Sequence, residues 1–172
     1  MDLQEAIKNR RSIRRFKKEK IPEEDLRSLV LESGIWAPSG GNAQTWRFLI
    51  ITDEKILKKI KLVSPGLLGD PPSLIVICHD MSLAQRKGGR LGEAVLSLMD
   101  TAMAAQNIML QAYSMGFGTC PIASFHPEAI KQILNLPAYF SPQLIISVGI
   151  PDENPAPPLR NREVVWVNKY GD

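Results

Sequence analysis

The stretch AVLSLMDTAMAAQNIMLQAY, residues Ala94–Tyr113, decides how the chain is built. Its apolar residues recur at helical spacing: Ala94, Val95, Leu98, Met99, Ala102, Met103, Ala105, Ile108, Met109, Leu110, Ala112 and Tyr113. They lie nearly all round the helix rather than on one stripe, and such a helix has to be covered on most sides. In a chain of 172 residues one small domain rarely encloses a helix that fully. A second copy packed against it is the simple solution, so the segment predicts a homodimer. Gly116 and Gly118 end it.

Shorter elements flank it. Residues 2–10 predict a helix with Leu3, Ala6 and Ile7 on one face and Asp2 at its N-cap. Pro22 opens a second helix whose first turn holds Glu23, Glu24 and Asp25, acids that the helix dipole favours there. This helix is expected to run to about Trp36 and to stop before Pro38. Trp46–Ile51 predicts a strand, and Asp53 starts a helix fading near Lys61. Leu74–Cys78, a continuous apolar run, reads as a buried strand with Cys78 as a core thiol. Pro127–Leu134 reads as a helix, Gln143–Ile150 as a strand, and Val164–Val167 as a last short strand. Between them Pro151–Pro158, with four prolines, reads as an extended arm. The mixture predicts an α+β fold, a small and mostly antiparallel sheet flanked by helices, in one domain over 1–172 with a C-terminal arm from about 151.

Composition bounds the function classes. The chain is 44% hydrophobic and 23% charged, with net charge +3, too little excess to imply nucleic acid by itself. Two cysteines, Cys78 and Cys120, lie far apart without a histidine cluster, which argues against a disulfide framework or a zinc site. No apolar run has the length of a membrane span, and no signal core opens the chain, so the cytoplasm is the expected compartment.

Three polar clusters stand out. Arg10-Arg11-Ser12-Ile13-Arg14 has the donors of a phosphate site, though a solvated basic surface has the same composition. In Pro38-Ser39-Gly40-Gly41-Asn42-Ala43-Gln44, two glycines allow close backbone approach to a ligand, and Ser39, Asn42 and Gln44 offer donors and acceptors. An ordinary connection between helix and strand would read alike. It is no P-loop, because no Lys-Ser or Lys-Thr follows the glycines. Arg160 and Arg162 point to the same side of an extended chain, fit either to complete a phosphate site or to protect an edge strand with charge. His79 and His126 belong to no nucleophile or metal pattern. Without either, hard chemistry falls to a cofactor.

In this order the clusters resemble the nitroreductase family of flavoproteins. Arg10–Phe16 resembles the family's entry motif. Ala37–Trp46 is similar to its second motif, which usually has Pro where Thr45 stands. Ala104-Ala105-Gln106-Asn107 lies in a segment like its central helix. Gly116–Ile122 resembles the glycine turn and strand after that helix, and Val148–Pro151 with Arg160 and Arg162 resembles its closing elements. The resemblance implies an intertwined homodimer with FMN at the interface, and NADH or NADPH reducing it. A small electron acceptor such as a nitroaromatic or quinone then reoxidises it at the same site. Arg10, Arg11, Ser12, Arg160 and Arg162 would lie about the phosphate, and Arg14 along the ribityl chain or at the pyrimidine edge. Pro38, Ser39, Gly40, Asn42 and Gln44 would reach the flavin from the other subunit. Pro121, Ile122, Ala123 and Ser124 would line the edge holding N5, although Ala123-Ser124 departs from the glycine common there. No side-chain catalytic residue, metal, membrane or nucleic acid is implied. Same-fold alternatives are dehalogenation, flavin fragmentation and ring oxidation. An alternative of another class is a non-catalytic flavin- or nucleic-acid-binding module. Larger relatives carry an insertion where this chain has only His79–Leu91, which implies a more open flavin face or a different lid.

Overall fold

A computed structural model describes residues 2–171. The elements are α1 (Leu3–Asn9), α2 (Glu23–Leu31), β1 (Trp46–Ile51), α3 (Glu54–Leu62), β2 (Ser73–Asp80), α4 (Met81–Leu91), α5 (Ser97–Ser114), β3 (Gly118–Ile122), α6 (Pro127–Ile133) and β4 (Phe140–Gly149). The sheet order is β1-β2-β4-β3, and each neighbouring pair is antiparallel.

All eight residues of β2 are buried, because both faces of the sheet are covered. Side chains alternate along a strand. Ile75 and Ile77 join Ile146, Val148, Trp46 and the helices α2 and α5 in one core, with Leu26, Leu29, Ala104, Ala105 and Ile108. Leu74, Val76 and Cys78 face the other way, onto Ile60 of α3 and Ile130 of α6. Cys78 is the core thiol expected, and burial pushes its pKa up to about 12, so it stays protonated and inert.

Local signals explain most boundaries. The Asp53 carboxylate accepts from the backbone N–H groups of Lys55 and Ile56, both at 2.9 Å, and starts α3. Asp2 sits at the N-cap position of α1 but makes no side-chain cap bond. α2 stops at Leu31 rather than running to Trp36. A separate 3₁₀ turn, Gly34–Trp36, follows it, where Gly34 lies so close to Ile108 that a Cβ would be 3.0 Å from that side chain.

One helix lies where the sequence pattern showed none: within His79–Leu91, Asp80 caps α4 by accepting from Leu83 N–H at 3.0 Å, and the helix covers Met81–Leu91. Two more expectations are corrected. α5 begins only at Ser97, since a π-helical turn, Gly92–Leu96, joins it to α4. Val164–Val167 forms no strand. The arm after Pro151 runs out from the body without helix or strand, and a β-segment with no neighbour leaves its ladder groups to water.

Candidate flavin site

The entry motif is held along the sheet edge. α1 ends at Asn9, and Arg10 turns into extended conformation (φ −54°, ψ 131°). Ser12 then bridges Thr119 of β3, with Ile13 N–H donating to Thr119 O at 2.9 Å. Phe16 bridges Pro151, and Lys17 N–H donates to Ile150 O at 2.9 Å. Alternation sends Ile13 inward, where it is buried against Gly118, and leaves Ser12 and Arg14 directed away from it.

Arg10 is partly buried, and its Nη1 is buried without a hydrogen-bond partner. Its pKa is lowered by burial first, then by the charges of Arg11 and Arg160. Arg160, 150 residues on in sequence, is thus close enough to Arg10 for the two cations to repel. Arg160 and Arg162 take part in no salt bridge among the described residues. A convergence of cations with an orphaned guanidinium nitrogen is a place for an anion. Arg11 shares this in part, since its Nε is also buried without a partner, but its Nη1 donates to Lys8 O at 2.7 Å and Arg10 O at 2.9 Å, closing the end of α1.

Arg14 is fixed through its backbone. Its N–H and that of Arg15 donate to the Glu153 carboxylate, which these bonds hold below the usual carboxylate range. The same contact ties the base of the C-terminal arm to the entry motif. The loop before β2 closes the other side: Gly66 N–H donates to Ser124 O at 3.0 Å, and Gly69 abuts the Arg14 carbonyl. Entry motif, β3 end and this loop therefore meet, bringing Arg14 toward the Pro121–Ser124 edge. Glu153, Gly66 and Gly69 escaped the sequence reading, since their roles lie in contacts between distant segments.

The second motif lies apart, over the start of α5. Gly40–Asn42 forms a 3₁₀ turn, and Gly41, Asn42 and Gln44 have φ of 57°, 53° and 49°. Gly40 N–H donates to Asp100 Oδ1 at 3.1 Å, and Gln44 N–H to Ser39 Oγ at 3.1 Å. Within one chain, this loop and the entry motif share no hydrogen bond or bridge among the described residues. Two clefts of about 530 Å³ lie elsewhere, one rimmed by Lys17, Lys18, Lys20, Lys58 and Lys61, the other beside β1, where Gln44 and Trp46 of the second motif line it, and neither includes Arg10, Ser12, Arg160 or Arg162. No group of His, Cys, Asp and Glu suited to a metal occurs among the described residues, and no described helix is long and apolar enough to cross a membrane.

The nitroreductase family model matches residues 7–65 and 59–150. The chain belongs to the nitroreductase family. A candidate NADH dehydrogenase/NAD(P)H nitroreductase of Methanothermobacter thermautotrophicus is 33% identical over 161 residues, 90% of this chain and 80% of that one. The iodotyrosine deiodinase of Thermotoga neapolitana is 28% identical and covers 98% of both chains. The FMN reductase (NADPH) of Bacillus subtilis is 29% identical over 96% of this chain and 73% of its own. The crystal structure of a nitroreductase-type protein from Parabacteroides distasonis superposes with TM-score 0.84 at 28% identity, covering 98% of each chain. The fold is the α+β nitroreductase fold that the motif order implied.

Proposed function

We propose that this nitroreductase-family chain is an FMN-dependent oxidoreductase. It uses NADH or NADPH for two-electron reduction of nitroaromatics, quinones or similar acceptors, as a homodimer with flavin at the interface. The observation that carries the reading is Arg10: a half-buried guanidinium with an orphaned Nη1, facing the charge of Arg160. That arrangement is unfavourable alone and is relieved by an anion of phosphate type. Arg10, Ser12, Arg160 and Arg162 would hold the FMN phosphate, with Arg11 shaping the site from the α1 end. Arg14 would lie further along the cofactor, near the Pro121, Ile122, Ala123 and Ser124 edge.

When bound, FMN supplies the hydride-accepting and hydride-returning chemistry. The chain binds, orients and shields, and no side-chain acid or base is required. Pro38, Ser39, Gly40, Asn42 and Gln44 serve the partner's site, which explains why they lie apart from the entry motif in one chain. The exposed apolar residues support the dimer. Val95, Leu98, Met99 and Met103 on one side of the α4–α5 unit, and Leu159, Val164, Val165 and Val167 on the arm, are 36–101% exposed. Such surface is expected to be buried by a second copy, and the arm, which has neither helix nor strand, is suited to embrace one. The reading treats residues 1–172 as one FMN-binding domain.

Anaerobic titration tests it. A yellow preparation should bleach with NADH or NADPH and recover with a nitroaromatic or quinone, following ping-pong kinetics. A colourless protein that takes up no FMN would overturn it. The full-length likeness to a deiodinase makes iodotyrosine the acceptor to include beside nitro compounds.

A further inference from the structure

The second-motif loop is pinned at both ends by neighbouring residues of one helix. At its start, Gly40 N–H donates to Asp100 Oδ1. Asp100 is 3% exposed, and burial raises its pKa, an effect partly offset by this bond. At its end stands Thr45, 2% exposed, whose Oγ1 lies 2.7 Å from His79 Nδ1. On the other side of the ring, His79 Nε2 is hydrogen-bonded to Thr101 Oγ1. Thr101, in turn, donates its hydroxyl proton to Ser97 O at 3.0 Å.

The bond to Ser97 favours one set of proton positions. A hydroxyl has one proton. With that proton on Ser97, Thr101 accepts from His79, whose Nε2 then carries hydrogen. His79 Nδ1 is then bare and accepts the Thr45 proton. His79 is fully buried, and the neutral imidazole satisfies every polar atom in the row. A charged imidazole would present two donors, and Thr45 would have to turn its proton away into the core.

The loop between these anchors is held in an unfavourable shape. Asn42 and Gln44 carry a Cβ yet lie in the left-handed region, at φ 53° and 49°. Such residues persist only where their surroundings over-determine them. The surroundings are Asp100, adjacent Thr101 through His79, and the Asp80 N–H that donates to Thr45 O at 2.9 Å. Leu98 and Met99, two residues and one residue before Asp100, are 52% and 56% exposed on the same helix.

We propose that His79 and Asp100 are positioning residues that clamp the Gly40–Thr45 loop onto α5, so that the helix bearing the exposed Leu98–Met99 surface also sets the loop's shape. Thr45 takes part because its hydroxyl reaches His79, where proline, usual at this point in the family, would stiffen the chain without a partner. The consequence for function rests on the flavin-dimer reading: the loop is the part offered to the partner's cofactor. The clamp itself exists within one chain.

Hydrogen exchange on the FMN-loaded protein tests it, with Thr45→Val, His79→Leu and Asp100→Leu compared to wild type. Thr45→Val preserves shape and removes one bond. It should speed exchange of the amides of residues 40–45 about five- to tenfold, the effect of one lost hydrogen bond, and leave the β2 and β4 amides unchanged. Adding His79→Leu to Thr45→Val should change the loop little further, because both cut the same link. Thr45→Pro should restore protection in a His79→Leu background. Unchanged loop exchange in both Thr45→Val and Asp100→Leu would overturn the clamp. Anaerobic bleaching of the same samples keeps the two readings apart: loss of the loop effect with normal bleaching defeats the clamp, and absence of bleaching with a normal loop effect defeats the flavin reading.

Discussion

Gly69 stands against the carbonyl of Arg14 so closely that a Cβ at that position would lie 1.9 Å from the oxygen, and its φ is +72°. A side chain there meets rigid backbone as well as an unfavourable dihedral. Gly69→Ala is expected to cost about 2 kcal/mol or more in chemical denaturation and to weaken FMN measurably, because the Arg14 backbone must move. Unchanged FMN affinity in a destabilised but folded variant would separate this loop from the cofactor site.

Arg10 and Arg11 are adjacent in sequence, but their guanidinium groups face different tasks. Arg10→Ala with Arg160→Ala should weaken FMN by several kcal/mol, since charge-assisted bonds contribute roughly 1.5–3 kcal/mol each. Arg11→Ala should act first on the stability of the α1 end, whose carbonyls it holds, with a smaller effect on FMN. Fluorescence titration of free FMN and thermal melts of each variant read the two quantities separately. Equal FMN losses from Arg11→Ala and the double variant would show that Arg11 also takes the phosphate.

This division marks where sequence pattern stops being informative. Trp46–Ile51 was legible residue for residue because its apolar run is short and bounded, and α3 because Asp53 is a true cap. α4 was hidden: Gly88 and Gly89, with Gly89 at φ +56°, and the charged Arg86, Lys87 and Arg90 break any apolar stripe. Val164–Val167 has strand composition, but a strand is a relation between two segments and this one has no neighbour in its own chain. The motif residues were legible as a set, while the contacts that arrange them were not. Gly40 and Asp100 are 60 residues apart, and Arg14 and Glu153 are 139 apart. One signal did exist: Asp100 is the lone acid in an otherwise apolar helical run, and such a residue needs a partner.

Dimerisation should depend on the outer side of α5. Leu98→Glu with Met99→Glu places two charges on a surface already 52% and 56% exposed, so a monomer should tolerate them and a dimer should not. Light scattering is expected to show dissociation together with loss of FMN. A buried interface above roughly 2,000 Å² is expected of an obligate pair. A dimer that persists unchanged, with FMN bound, would place the interface elsewhere.

Acid should weaken the fold through His79. Burial, and secondarily the charge of Arg47, lowers its pKa from 6.5 to about 4. The unfolded chain therefore takes up a proton at a pH where the folded chain does not. Stability is fully present above pH 6.5 and is lost as pH falls from there toward 4, by about 3 kcal/mol in all. Asp100, whose pKa is raised, acts in the opposite sense, because protonation relieves its burial. Denaturation midpoints measured from pH 7.5 to 4.5 should fall steadily in the wild type and less steeply in His79→Gln. Parallel slopes would assign the acid sensitivity to other groups.

Arg14 offers the sharpest test of how the cofactor lies. Its backbone is held by Glu153 and pressed by Gly69, while its side chain could reach along a ligand whose phosphate, on the proposed reading, lies at Arg10. Two-electron reduction of a flavin leaves negative charge at the N1–C2 edge of the ring. A fixed cation there favours the reduced form over the neutral oxidised ring and raises the potential. Arg14→Gln removes the charge and keeps hydrogen-bonding capacity. With Arg14 at the pyrimidine edge, FMN should stay bound while its midpoint potential falls by about 30 mV, the equivalent of roughly 1.4 kcal/mol for a two-electron couple. A potential that does not move, accompanied by weaker FMN binding, would instead assign Arg14 to the phosphate, and the cofactor would have to be placed with its ring directed away from the Gly69 loop.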